Sequence, residues 1–291
     1  MTVRTESEWT LVSQRNARSV QTTIGWIFGD PQAVRRYGER GLPGGLGYIA
    51  ARGAPFAGAG PSALIAALGS ISEEAIRYVF ELVTSKDEFL AIWRDRNDAV
   101  LEGLAAYAPE MLSALHDFGP QLWDVVAQLP LAGRPFAASH LDLPLPDDDV
   151  LRAWHAVNFL REWRGDTHWA LVATHGLSGG EASILHNAWL GYDADWLSLS
   201  RGNSSASIDA AWRQLEFKGL AHDRVVLAPG LDLRQHIEDE TNRLSALPWK
   251  VLGYETSIAF AERFEPPCVK LLARVDETAG TRYQPASRIR S

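Results

Sequence analysis

From Leu151 to Trp189 the chain reads LRAWHAVNFLREWRGDTHWALVATHGLSGGEASILHNAW, with His155, Arg161, Glu162, Arg164, Asp166, His168, His175, Glu181 and His186 set among apolar residues. A buried charge is costly unless it is partnered, so such a stretch is either a solvated face, a network that locks other elements onto it, or a site. That requirement constrains the packing of this chain more than any other feature. The stretch reads as three short helices in a row, and Asp148 or Asp149 would cap the first.

The rest of the chain must supply what this stretch needs. At 291 residues, with 46% hydrophobic and 22% charged residues, it can bury a large core in one or two domains. Eleven tryptophans bring bulk and N–H donors that suit either a core or an aromatic pocket. A single cysteine, Cys268, excludes an internal disulfide and a cysteine-based zinc site, and fits a reducing cytoplasm. It reads as a buried, inert thiol. The opening residues MTVRTESEWT are polar and no run of about 18 apolar residues is present, so no signal or membrane span is expected and the location is cytoplasmic.

Helix signals recur along the chain. Asp30-Pro31 starts one helix after a break at Gly29, Ser72 and Ser85 start two more, and a small-residue helix surrounds Tyr48 to Arg52. The run LDLPLPDDD (141–149) reads as a linker. Beyond Trp189 come SIDAAWRQLEFKGL, then HDRVVLAPG, then LDLRQHIEDETNRLSALPW. A helix ended by Gly219, a short hairpin around Val225-Val226-Leu227 and a long helix form the layout of a winged helix-turn-helix. The expected fold is therefore all-α, with a C-terminal winged helix and a short β-hairpin wing. The expected domains are 1–140 (helical), 141–276 (winged helix with the central helices) and 277–291 (a loose tail).

Residues 160–168, LREWRGDTH, resemble the L-R-E-H-R-G-D-G-H stretch of an actinobacterial helix-turn-helix family of no established chemistry. Further similarities lie at Tyr48 to Pro55, Gly133 to Ala138, Leu215 to Leu220 and Glu238 to Trp249, and together they span most of residues 20–255. The resemblance implies shared architecture. Trp163 stands where that family has His, Phe56-Ala57 interrupts its A-P-x-G turn, and its F-Y-x-F-x-P pattern is absent. These departures point to a divergent member, specialised for secondary metabolism.

Charge argues against DNA as the main partner. Formal net charge is −8, and from Ser207 to Arg224 the acids Asp209, Glu216 and Asp223 cancel Arg213, Lys218 and Arg224. Phosphate contact depends on unbalanced cations, so DNA stays open as a partner but is disfavoured. A DNA glycosylase of the winged-helix kind would show Q-x-Q, and no glutamine here is followed two residues later by another.

For chemistry, His155 and Glu162 lie seven apart on one helical face, with Asp166 on the same face if the helix continues past Gly165. Trp154, Asn158 and Arg161 form a neighbouring stripe that His168 would join. The expected site has Glu162, Asp166, His168 and His155 as proton-transfer groups, with Arg161 and Arg52 as anion clamps. Tyr48, Trp154, Asn158 and Trp163 would contact substrate. Trp26, Trp93, Trp123 and Trp154 would wall the pocket. The alternative is an Arg–Glu–Asp network pinning the helix, weighed equally. The spacing of His155, Glu162, Asp166 and His168 matches no metal motif of the H-E-x-x-H kind, and no cofactor loop stands out, so neither metal nor cofactor is expected.

The leading function is a cofactor-free enzyme performing acid/base cyclisation, elimination or hydrolysis on a small metabolite. The alternatives are a ligand-responsive winged-helix regulator reading DNA through Ser207 to Lys218, and a non-catalytic binding protein. Pairing into a homodimer stays open.

Overall fold

A computed structural model describes residues 4–283. The first half is a set of helices: α1 (Glu6–Gly25), α2 (Pro31–Glu39), α3 (Gly45–Gly53), α4 (Pro61–Leu68), α5 (Glu73–Leu82), α6 (Lys86–Tyr107), α7 (Pro109–Val126) and α8 (Pro135–Ser139). Their starts follow the side chains. Asp30 accepts from the Gln32 amide at 2.9 Å, Ser72 from Ala75, and Ser85 forms a reciprocal capping box with Glu88.

The central stretch departs from the expected three short helices. It forms α9 (Asp149–Thr174), unbroken for 26 residues, and α10 (Gly179–Trp189). Asp148, not Asp149, caps α9 by accepting from the Leu151 amide at 2.9 Å. Gly165 does not interrupt α9, because one glycine costs a helix only about 1 kcal/mol and the long flanks pack on both sides. The break comes at Gly176, with φ +66°, followed by a Ser178–Glu181 capping box.

After α10 come α11 (Trp196–Ser200), α12 (Ser205–Phe217), β1 (Ala221–His222), β2 (Val225–Val226), α13 (Ala228–Leu244), α14 (Leu247–Leu252) and α15 (Tyr254–Ala279). Gly219, at φ +70°, ends α12, and the Leu220 amide donates back to the Leu215 carbonyl at 2.9 Å. β1 and β2 pair antiparallel through Ala221–Val226 and His222–Val225. Leu227 leaves the strand to begin α13. Residues 277–279 continue α15 instead of opening a tail, and Tyr283 packs on Phe28 and Trp196 with ring centroids 4.9 and 5.4 Å away. The remainder of the expected tail, 284–291, lies outside the described residues.

Two apolar cores result. The larger joins α1, α3, α6, α7, the first half of α9 and α15, around Trp26, Trp93, Trp154, Phe260 and Phe264. The smaller gathers Val172, Leu185, Ile208, Trp212, Leu215, Ala221 and Ile237 around α10, α12 and α13. α9 threads both. No helix among the described residues is long and apolar enough to cross a membrane.

Candidate functional site

The ionisable residues of α9 find their partners on other helices. Glu162, 1% exposed, accepts a two-pronged bond from Arg52 of α3 at 2.8 and 3.1 Å, and a third from Arg161 at 2.6 Å. Burial pushes this carboxyl up, but the two guanidiniums outweigh it and hold its pKa at about 2. Two residues on, Arg164 donates to Glu238 of α13 at 2.6 Å, and Arg234 donates to the same carboxylate at 2.8 Å. α9 thus carries two Arg–Glu–Arg clusters, which tie it to α3 and to α13.

The four expected proton-transfer residues do not converge. His155 is buried against Trp93 and Asn97, and burial drives its pKa well below the ordinary value. Asp166 accepts from the Phe136 and Ala137 amides at 3.1 and 2.9 Å, so it holds the first turn of α8. Burial raises its pKa to about 6. His168 meets Thr241 at 3.3 Å, and burial lowers its pKa to about 3. The Thr241 hydroxyl already donates to the Ile237 carbonyl at 2.6 Å, which assigns the proton of His168 to Nδ1. A carboxylate near 2 and histidines that stay neutral are weak proton carriers at neutral pH.

The expected aromatic wall is also displaced. Trp26, Trp93 and Trp154 lie in the larger core, with the Trp154 N–H on the Thr23 carbonyl at 2.8 Å, and the Trp123 N–H goes to the Arg152 carbonyl. Asn158 and Trp163 are buried, the Trp163 N–H on the Pro130 carbonyl. Helical spacing showed these rings on inward faces but could not show that the inward side was core.

A cavity does lie beside α9, in two joined compartments. The apolar one, about 370 Å³, is walled by Phe28, Ile49, Ile71, Trp196, Leu199 and Tyr283. The polar one, about 530 Å³, is walled by Glu162, His168, His186, Trp189 and Glu238, with several arginines. Gln21, Arg52, Ser70, Arg161 and Arg201 belong to both and form the throat. Of the expected site residues, Tyr48, Arg52 and Arg161 face the apolar side and Glu162 and His168 the polar side.

Sequence reasoning missed Arg201, Arg234, Trp196 and His186. His186 accepts from Arg234 Nε at 2.9 Å, which requires a neutral ring. Burial, then the nearby guanidiniums of Arg234 and Arg201, push its pKa well down. No local pattern marks these residues, since they come from three separate segments, α10, α11 with its C-cap, and α13. The Tyr48 phenol is drawn toward ionisation: burial raises it, and Arg161 and Arg52 more than offset that, leaving it below its ordinary value.

The mainly helical fold agrees with the one comparison that matches. The model of a helix-turn-helix family covers residues 13–277, which takes in nearly all of both cores and every cavity-lining residue named above except Tyr283. The chain belongs to this helix-turn-helix family. No protein of curated function and no solved structure matches it. As a helix-turn-helix family member, it sets Ser207 to Arg224 on α12 and the hairpin, where the cations are largely committed. Lys218 is bound to Glu181, and Arg224 bridges Asp195 and Asp209.

Proposed function

We propose that this helix-turn-helix protein is a ligand-responsive regulator. In this reading α11 and α12 act as the helix-turn-helix, β1–β2 as a wing and α13 as the helix that closes a winged-helix unit. The observation that carries it is the placement of the cavity. One wall comes from α1, α3 and the α4–α5 turn through Gln21, Arg52 and Ser70, and the other from α10, α11 and the turn after it through Ser183, Trp196 and Arg201. An occupant contacts both sides, so its binding free energy depends on how the helix-turn-helix unit sits against the amino-terminal helices. Family membership favours this reading over the enzyme expected from the α9 residues, whose carboxylates and histidines are occupied or neutral. A cytoplasmic location and pairing of two copies on one DNA site accompany it.

With Lys218 and Arg224 engaged within the protein, DNA contact by one copy is weak and strongly salt-dependent. The test is binding of the purified protein to its own upstream region, titrated against salt. Saturable binding at low salt, lost as salt rises, is expected. Absence of binding at low salt retires the regulator.

One observation favours acid/base chemistry as a second reading: the Tyr48 phenol, held below its ordinary value by Arg161 and Arg52 beside the apolar compartment. Tyr48→Phe would then abolish turnover of a metabolite that the protein still binds. A bound metabolite with neither turnover nor DNA binding would leave a binding protein.

A further inference from the structure

The cavity is lined by six arginines, Arg18, Arg52, Arg161, Arg164, Arg201 and Arg234, against two glutamates, in a chain whose formal charge is −8. Four of the six are accounted for by the clusters on Glu162 and Glu238. Of the other two, Arg18 is exposed to solvent and Arg201 is not. Among the described residues no carboxylate lies within ion-pair distance of Arg201, and its one side-chain bond runs from Nη1 to the Ser183 hydroxyl at 3.1 Å. Burial lowers its pKa to about 10, which still leaves it charged at neutral pH. Its charge sits in the throat, where the apolar and polar compartments meet.

A withdrawn cation without a counter-ion is unfavourable, and a bound anion relieves it. Arginine's planar fork suits carboxylate and phosphate oxygens, and Arg52 and Arg161 add positive charge at the same throat. The apolar compartment, about 370 Å³ and walled by Phe28, Trp196 and Tyr283, has the size and lining that hold a small hydrophobic group. We propose that the cavity binds an amphipathic oxyanion. Its carboxylate or phosphate head meets Arg201, flanked by Arg52 and Arg161, and its aryl or branched alkyl body fills the Phe28–Trp196–Tyr283 compartment. Neutral and cationic analogues of the same shape are rejected, because they leave Arg201 unpaired.

This proposal rests on the cavity of the preceding reading and adds its ligand chemistry. Its test uses the full chain without DNA, so its outcome is independent of the salt titration. Calorimetric titrations with phenyl phosphate, phenylacetate and benzyl alcohol are compared. At least one of the two anions is expected to bind saturably, benzyl alcohol not, and the stronger anion names the head group. Arg201→Gln is expected to weaken the anion about tenfold or more, the effect of losing a charged hydrogen-bonding partner. Ile71→Trp, which fills the apolar compartment, is expected to abolish binding of the stronger anion by a different route, so a folding defect in one variant does not decide the matter. Equal binding of benzyl alcohol and phenylacetate, unchanged affinity in both variants, or no binding by either anion overturns the proposal.

Discussion

Glu162 shows how one side chain sets the character of a whole region. Its carboxylate pairs with both Arg52 and Arg161 at the place where α3 meets α9, and all three are largely withdrawn from water. Removing one partner of a buried ion cluster leaves the others uncompensated, so Glu162→Gln should destabilise the fold by about 3 kcal/mol, read as a lower urea midpoint. The buried histidines make a second prediction. His168 and His140 are held at about 3 and about 4, and His155 and His186 well below 6.5, in each case chiefly by burial. Between 6.5 and those values the unfolded chain binds protons that the folded chain refuses. Their contribution is therefore complete above 6.5 and is lost as pH falls toward the folded values. Glu162 acts in the same direction lower down, its contribution present above 4.5 and lost as pH falls through about 2. Asp166, raised from 3.8 to about 6, works the other way, but it is one group against four histidines. Urea midpoints should thus fall as pH drops from 6.5 to about 4, and His168→Gln should flatten that slope.

The joint between the two helical groups depends on an element with no side chain at its key position. Gly179 opens α10, and a Cβ there would land inside the carbonyl of Gly69, at the end of α4. Two more bonds cross the same joint: the Ser72 amide to the Arg201 carbonyl at 3.0 Å and the Asn203 amide group to the Ser70 carbonyl at 3.3 Å. Gly179→Ala should force α10 away from the α4–α5 turn, at a cost of about 3 kcal/mol. It should also weaken any cavity ligand, because Ser70 and Ser183 sit on opposite sides of that joint. Thermal unfolding and calorimetry on the same variant would check both; a variant with wild-type stability and affinity would show that the joint is loose.

Over the whole molecule, the unequal cores predict unequal local stability. The larger one buries many tryptophan and phenylalanine rings completely, among them Trp26, Trp154, Phe136, Phe260 and Phe264, while the smaller holds Trp212 as its one buried aromatic ring among the described residues. Regions with fewer buried apolar contacts open at lower free energy. Amides of α12, β1 and β2 should therefore exchange hydrogen faster than those of α7 and the first half of α9. A cavity ligand touching α10 and α11 should slow the exchange of α12 without contacting it. Uniform protection across both cores would mean that the molecule opens only as one unit.

Local chemistry settled a good deal from sequence. Asp30, Ser72, Ser85 and Asp148 cap the helices they precede, Gly219 ends α12 in the left-handed region, and the hairpin falls beside Val225 and Val226. Each of these depends on residues a few positions apart, whose geometry the backbone dictates. Tertiary structure alone decided which partners the ionisable groups of α9 would meet. Glu162 is matched by a residue 110 positions away and Arg164 by one 74 away, and the cavity is closed by Arg201, Trp196 and Tyr283. Helical period tells which side of a helix turns inward. Whether that side meets core, counter-charge or open cavity depends on which distant helix covers it, and that is decided by packing.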